Sequence, residues 1–85
     1  MGLGDKLRQI RLERGISQEA VAAKLGQQTN SYVSMVELGR RRPSPEKLIL
    51  WAEALGLSQE EIEDLVLEAK LEELGITEPA FTMMF

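Results

Sequence analysis

Residues 15–42, at the centre of the chain, read GISQEAVAAKLGQQTNSYVSMVELGRRR, and three glycines divide them into short segments. Gly15, Gly26 and Gly39 stand where a residue in the left-handed conformation commonly closes a helix. Between them, apolar and polar residues do not alternate with the period of two that marks a half-buried strand. The stretch therefore predicts short helices, each ended by a glycine, with three arginines directly after the last one.

Hydroxyl side chains supply the start of each short helix. Ser17 is suited to cap a helix over about residues 18–25. Thr29 is suited to cap the next helix, over about residues 30–38. The two helices, joined by a polar turn, form a helix-turn-helix arrangement.

One helix precedes this pair and two follow it. Asp5 is expected to cap the first helix, which runs to about Arg14. Ser44, directly before a proline, begins the fourth helix, and Ser58 with Glu61 three residues later forms a capping box for the fifth. The sequence therefore predicts an all-α fold of five helices, in which the acidic fifth helix is a C-terminal extension.

The composition excludes most enzyme chemistry. The 85 residues include no Cys and no His, which removes disulfides, thiolate nucleophiles, Cys/His zinc sites and imidazole bases. The acidic cluster of the fifth helix has no visible partner on another helix for a metal site. No apolar run approaches the ~20 residues of a membrane span, and the N-terminus lacks a signal sequence. We therefore expect a cytoplasmic protein that is not an enzyme and needs no cofactor and no metal.

Charge is distributed unevenly along the chain. The net charge is −4, but residues 5–55 carry nine basic and six acidic side chains, whereas residues 56–85 carry one and eight. The first part could face a polyanion, and the second part would be repelled by one. This asymmetry favours two segments, a domain over residues 1–57 and a C-terminal helix and tail over residues 58–85.

A dense set of residues between Leu7 and Leu57 has the order and spacing of a known family. They are Leu7, Ile10, Arg11, Gly15, Ile16, Ser17, Gln18, Glu19, Val21, Ala22, Leu25, Gly26, Ser31, Tyr32, Val33, Ser34, Val36, Glu37, Gly39, residues 40–44, Leu48, Trp51, Ala52, Leu55 and Gly56. In these positions the chain resembles the Cro/XRE-type helix-turn-helix family of phage and bacterial repressors. The resemblance implies a lambda-repressor-like domain that binds double-stranded DNA.

The chain departs from the family pattern at one point. Gly26 and Gly39 are 13 positions apart, where the family usually has 12, so we place one extra residue in the turn at 27–29. Aligned from its end, the recognition helix then begins near Asn30. An insertion inside the helix would instead shift every base contact by one residue.

The resemblance implies which side chains reach the bases, because the N-terminal part of a recognition helix lies in the major groove. Asn can pair with adenine through two hydrogen bonds, Ser can donate or accept, and Met can touch a thymine methyl. The predicted base contacts are Thr29, Asn30, Ser31, Ser34 and Met35. The alternative for Asn30 and Ser31 is that they are only turn residues.

Contacts to the DNA backbone follow from the same resemblance. Gln18 matches a family position that contacts phosphate and supports the recognition helix, and its backbone N–H lies at a helix start. Arg40, Arg41 and Arg42 resemble the loop that contacts the backbone, and Tyr32 either reaches a phosphate through its hydroxyl or packs. The alternative for Gln18 and for the arginines is solvation.

The resemblance also implies an ion pair between the first and third helices. Arg11 lies four residues before Gly15, and Glu37 lies two before Gly39, as the family pattern requires. Such a pair fixes the angle of the recognition helix more than it adds to stability.

The fifth helix and the tail have more apolar surface than one domain needs. One stripe, Ile62, Leu65, Val66 and Ala69, is expected to face the core of the domain. The remaining apolar residues are expected to form a dimer or partner surface, and they are Leu67, Leu71, Leu74, Phe81, Met84 and Phe85. Two alternatives are that this segment folds onto its own domain and that the chain is a fragment of a longer protein.

Two functions from different classes agree with these patterns. The first is a sequence-specific transcriptional regulator, most simply a repressor, that binds a pseudo-palindromic operator on double-stranded DNA as a homodimer. The second is a protein–protein or antitoxin-like module on the same fold, acting through its acidic and apolar C-terminal segment. The arginine loop and Gln18 favour the first function, and the net negative charge favours the second.

Overall fold

A computed structural model of the chain describes residues 2–75, which form five α-helices and no strand. The helices are α1 (Leu3–Glu13), α2 (Gln18–Lys24), α3 (Ser31–Glu37), α4 (Pro45–Leu55) and α5 (Gln59–Glu73). The all-α class and the five helices predicted from the sequence are confirmed. Over the same residues, no helix is both long enough and apolar enough to cross a membrane.

Three helices begin at the hydroxyl caps that the sequence predicted. The side chains of Ser17, Ser44 and Ser58 accept hydrogen bonds from backbone N–H groups in the first turns of α2, α4 and α5. At α5 the capping box is complete, because the Glu61 carboxylate also accepts from the backbone N–H of Ser58 at 2.9 Å. These starts depend only on residues within one turn, which is why the sequence reveals them.

Two helix starts differ from the prediction. Helix α1 begins at Leu3, and Asp5 is not its cap; the carboxylate of Glu72 in α5 accepts the hydrogen bond from the Leu3 N–H. Helix α3 begins at Ser31, so its N-cap residue is Asn30 rather than Thr29. At α1 the accepting group comes from another helix, so no local pattern marks the start. At α3, Thr29 Oγ1 accepts from the Ser31 N–H at 3.4 Å, and Asn30 is bound by Gln18 and Glu19 of α2.

All five helices contribute to one core. Its fully buried side chains include Leu7 of α1, Val21 of α2, Val33 of α3, Trp51 of α4 and Leu65 of α5. Trp51 is therefore a core residue. Its indole Nε1 is buried and has no hydrogen-bond partner among the described residues.

Helix α5 faces the core differently from the sequence prediction. Leu65 is buried and Ile62 and Ala69 are partly buried, but Val66, expected on the same stripe, is 56% exposed. Leu71 is 9% exposed and thus belongs to the buried side, so its assignment to a partner surface is wrong.

Leu67 and Leu74 are exposed, at 53% and 59%, as that assignment requires. Phe81, Met84 and Phe85 lie outside the described residues.

Arg14 joins the end of α4 to the start of α5. Its Nη1 donates to the backbone oxygens of Leu55 at 2.7 Å and Gly56 at 2.8 Å, and its Nη2 contacts the Glu61 carboxylate. The backbone hydrogen bond from Ser58 and the Arg14 guanidinium together lower the pKa of Glu61. This contact fixes the angle between the last two helices.

Gly4 lets α1 approach the end of α3 more closely than any other residue would. A Cβ atom at this position would lie 2.2 Å from the backbone oxygen of Val36 and 2.9 Å from that of Glu37. Real Cβ atoms do not come so close to backbone oxygens, so a side chain here would push the helices apart. The contact therefore sets the position of α3, the second helix of the helix-turn-helix pair.

Candidate nucleic-acid interface

Helix α3 buries one face and presents the other to solvent. Val33 and Val36 are 0% and 1% exposed and pack in the core, one turn apart. Ser31 and Met35 lie on the accessible side, where Met35 is 37% exposed, and Ser34 is half-buried. Two short helices, a turn over residues 25–30 and an exposed face on the second helix define a helix-turn-helix domain.

A buried ion pair joins α1 to the C-terminal end of α3. The Arg11 Nε donates to Glu37 Oε2 at 2.6 Å, and Arg11 Nη2 donates to Glu37 Oε1 at 3.0 Å. Arg11 Nη1 also donates to the backbone oxygen of Ile16 at 2.9 Å. The hydrogen bond to Glu37 raises the pKa of Arg11, although burial acts in the opposite direction. This two-point contact fixes the orientation of α3 on α1.

The ion pair continues into a chain of side-chain hydrogen bonds that reaches the start of α3. Gln18 Nε2 donates to Glu37 Oε1 at 3.0 Å, and Gln18 Oε1 accepts from Asn30 Nδ2 at 3.1 Å. Asn30 Nδ2 also donates to Glu19 Oε2 at 2.8 Å. We call this set, Arg11, Glu37, Gln18, Asn30 and Glu19, the interhelix network. Residues of α1 and α2 thus contact α3 at both of its ends, through Glu37 and through Asn30.

The interhelix network changes how two predicted DNA contacts are understood. Gln18 supports α3, as the family resemblance implied, but it does so with both ends of its amide. Asn30, expected to meet a base with a free amide, has its nitrogen engaged by Gln18 and Glu19. Glu19 belongs to the family pattern in the sequence but was given no role there; its place beside Gln18 in the first turn of α2 was the available signal.

Tyr32 packs against the core and carries two cations on its ring. The Arg41 guanidinium carbon and the Lys47 Nζ each lie 5.5 Å from the ring centroid. Burial raises the pKa of Tyr32, and the charge of Arg41 partly offsets that effect. The ring thus anchors Arg41, in the packing role that the sequence left open for Tyr32.

The three arginines after α3 have different surroundings. All are exposed, and Arg41 lies over Tyr32. Arg42 Nη2 donates to the backbone oxygen of Glu72 at 3.2 Å and so ties the loop to the end of α5. Arg40 makes no side-chain hydrogen bond within residues 2–75, which leaves its guanidinium free to meet a ligand.

The remaining predicted contacts lie at the start of α3. Thr29 Oγ1 donates to Ser31 Oγ at 3.2 Å, and both side chains are exposed. Together with the exposed Met35 and the half-buried Ser34 they line the accessible face of α3 and the turn before it. The structure thus places the predicted base-contact residues on α3 and its preceding turn.

Comparison with known proteins agrees with this geometry. A family model described as helix-turn-helix matches residues 7–62. The uncharacterized HTH-type transcriptional regulator y4dJ of Sinorhizobium fredii is 38% identical over 60 residues, which are 71% of this chain and 77% of that protein. The chain therefore belongs to the Cro/XRE-type helix-turn-helix family of DNA-binding transcriptional regulators.

Solved structures of similar proteins share the fold. The restriction-modification controller protein C.AhdI of Aeromonas hydrophila is 37% identical, with a TM-score of 0.62 over 71% of this chain and 89% of that chain. The clp gene regulator ClgR of C. glutamicum is 32% identical, with a TM-score of 0.66 over 80% of this chain and 83% of that chain. The likeness thus extends beyond the matched sequence motifs to the arrangement of the helices.

Proposed function

We propose that this protein binds double-stranded DNA sequence-specifically as a homodimer and regulates transcription in the cytoplasm, most simply as a repressor. One observation carries the proposal. The accessible face of α3 is held in place by the interhelix network, and a loop of three exposed arginines follows the C-terminal end of the helix. A fixed helix face can meet base edges in the major groove, and cations beside it can meet phosphates.

Each part of the surface has a distinct role in this proposal. Asn30, Ser31, Ser34 and Met35 meet the base edges, with Thr29 at the margin of the contact. Arg40 and Arg41 meet phosphates, and Arg41 is presented by the ring of Tyr32. Gln18 acts mainly by holding α3, because its amide is already engaged on both sides.

The surface between α4 and α5 supports the proposed dimer. Helices α4 and α5 enclose a groove of about 1040 Å³ with a largely apolar lining. In its lining, Ile49, Val66 and Leu67 are each more than half exposed.

The charges that line this groove favour a second copy of the chain as its occupant. Arg42 and Lys70 lie in the lining together with Glu63, Glu72 and Glu73. In a two-fold arrangement the cations of one copy can meet the anions of the other, because both copies present the same surface. Two domains related in this way would read two half-sites of a pseudo-palindrome.

The dimer surface proposed here keeps Leu67 and Leu74 and omits the buried Leu71. From the sequence alone, Phe81, Met84 and Phe85 are assigned to the same surface. An apolar groove with exposed neighbours is typical of a site that another chain covers.

Selection from a random DNA library at physiological salt tests the DNA-binding proposal. We expect enrichment of a two-fold-symmetric motif by the wild-type protein. Arg40→Ala should then weaken binding to that motif. It should also lower the slope of log Kd against log salt by about one, the amount expected for one phosphate contact. Lys6→Ala is the matched control, since Lys6 lies near Glu61 and Asp64 beside α5, and it should leave the slope unchanged.

Absence of enrichment, with the protein folded and helical, would contradict the proposal. The protein-partner function would then take its place. Equal salt slopes for Arg40→Ala and the wild type would overturn the role given to the arginine loop.

Sedimentation at tens of micromolar protein tests the dimer. Leu67→Glu should give the mass of one chain and the wild type the mass of two. Leu12→Glu is the control, because Leu12 in α1 is 52% exposed and Leu67 is 53% exposed, so both substitutions place a charge on a similar surface. A wild-type mass of one chain, or equal dissociation in the two variants, would overturn the dimer.

A further inference from the structure

Two carboxylates fix the direction of every amide in the interhelix network. A carboxylate only accepts hydrogen bonds, so the atom of Gln18 that faces Glu37 at 3.0 Å must be the nitrogen. The Gln18 oxygen therefore faces Asn30. At the other end, the atom of Asn30 that faces Glu19 at 2.8 Å must also be its nitrogen. The orientation of the Asn30 amide thus follows from chemistry alone.

This orientation uses the entire donor capacity of Asn30. A side-chain amide nitrogen carries two N–H groups, and here one points to Gln18 Oε1 and the other to Glu19 Oε2. Within residues 2–75, Oδ1 accepts no hydrogen bond, and it is not among the buried polar atoms that lack a partner. Asn30 therefore offers a carbonyl oxygen, and no donor, at the start of α3.

We propose that Asn30 reads DNA as an acceptor only, and that Glu19 is the residue that imposes this specificity. The inference rests on the proposed function, because it names what one side chain of that surface recognises. In the major groove, adenine and cytosine present an exocyclic amino group that a carbonyl can accept from. Guanine and thymine present carbonyl oxygens at the same place and repel it.

The proposal differs from the usual pairing of Asn with adenine. That pairing needs one donor for adenine N7 as well as one acceptor for the adenine amino group. With both N–H groups held by Gln18 and Glu19, Asn30 cannot supply the donor unless one of these hydrogen bonds breaks. Adenine and cytosine should therefore bind similarly, each about tenfold better than guanine or thymine.

Affinities for four duplexes test this inference. They carry the motif selected by the wild type and differ only at the base whose preference disappears in Asn30→Ala. We expect wild-type protein to bind the adenine and cytosine duplexes within about twofold of each other and the other two about tenfold more weakly. Glu19→Ala frees one N–H of Asn30, so this variant should prefer adenine over cytosine by about tenfold.

Glu19→Gln is the matched control, because a glutamine retains an oxygen that accepts from Asn30 and should preserve the wild-type profile. A wild-type preference for adenine alone would overturn the inference. So would a Glu19→Ala profile equal to that of the wild type, or a selected motif with no position that responds to Asn30→Ala. If the wild type selects no motif at all, the proposed function fails instead, so the two failures are distinguishable.

Discussion

The helices that meet at α3 and the helices that line the groove are held together by different forces. Around α3, directional contacts dominate: the Arg11–Glu37 ion pair is buried and has two points of contact, and Gly4 touches the α3 backbone directly. Between α4 and α5 the contact is mainly apolar, and Val66 and Leu67 remain exposed beside it. The first region thus contains the buried charged groups, Arg11 and Glu37, whereas the second contains an open groove with a largely apolar lining.

The comparison shows what each kind of contact can do. Directional hydrogen bonds permit one arrangement, which suits a helix that must be aligned with base edges. Apolar contact is indifferent to direction, so a surface of this kind can accept another chain without rebuilding its own domain. The directional contacts thus lie where we propose that the protein binds DNA, and the apolar contacts lie where we propose that it dimerises.

The largest expected effect comes from removing the buried ion pair between α1 and α3. Arg11→Ala leaves Glu37 buried without its cation, and we expect the free energy of unfolding to fall by about 3–5 kcal/mol. Arg41→Ala, at an exposed position, should change it by less than about 0.5 kcal/mol. Urea denaturation of both variants measures the difference. Equal midpoints would show that the buried ion pair is not what holds α1 to α3.

Gly4→Ala tests the backbone contact between the same helices. In an ordinary helix interior this substitution stabilises the protein by about 1 kcal/mol. Here the added Cβ meets the backbone oxygens of Val36 and Glu37, so we expect destabilisation by about 1–3 kcal/mol. Thermal and urea denaturation give the sign, and a stabilised variant would refute the close contact.

Trp51→Phe examines the apolar side. The substitution removes buried ring atoms, but it also removes an indole N–H that has no partner among the described residues. Because these effects oppose each other, the loss should stay below about 1.5 kcal/mol. Leu55→Ala, which only creates space in the same core, should cost about 2–5 kcal/mol. A loss for Trp51→Phe as large as that for Leu55→Ala would show that the N–H carries no penalty.

The smallest effect concerns Glu61, the polar contact at the junction of α4 and α5. Its pKa lies below the ordinary value of 4.5, chiefly because the Ser58 N–H and then Arg14 stabilise the carboxylate. A lowered pKa gives stability that is present above 4.5 and is lost as pH falls through the folded-state value.

Glu61→Gln keeps an acceptor for the capping box but removes the charge. The wild type should therefore be more stable than the variant at neutral pH, and the difference should shrink in acid. Urea denaturation of both proteins, from neutral pH to below 4.5, measures this difference in the free energy of unfolding. A difference that stayed constant, or that grew in acid, would refute this role of the carboxylate.

The sequence predicts those parts of the fold that depend on neighbouring residues. Ser17, Ser44 and Ser58 bond within their own first turn, so the starts of α2, α4 and α5 follow from local chemistry. The start of α1 does not, because the group that accepts from Leu3 belongs to Glu72 at the far end of the chain. The buried side of α5 was also misjudged at Val66 and Leu71, since tertiary packing decides which of its apolar residues face inward.

The candidate site shows the same limit. The family pattern identified Arg11, Glu37 and Gln18 by their spacing, and the structure brings their side chains together. Spacing could not show that Asn30 turns its amide toward Glu19, because that contact depends on the path of the turn between α2 and α3. The sequence thus indicates which residues surround α3, and the structure shows which of their atoms are already engaged.

Glu72 lies where the two regions meet. Its carboxylate accepts from the Leu3 N–H at the start of α1, next to the Gly4 contact, and its backbone oxygen accepts from Arg42 of the arginine loop. It also lines the groove between α4 and α5. One residue thus links the surface proposed for a second subunit to the loop proposed for phosphate. In thermodynamic terms, coupling between these two proposed sites would be reciprocal: the amount by which association of the subunits changes the free energy of DNA binding equals the amount by which DNA changes the free energy of association.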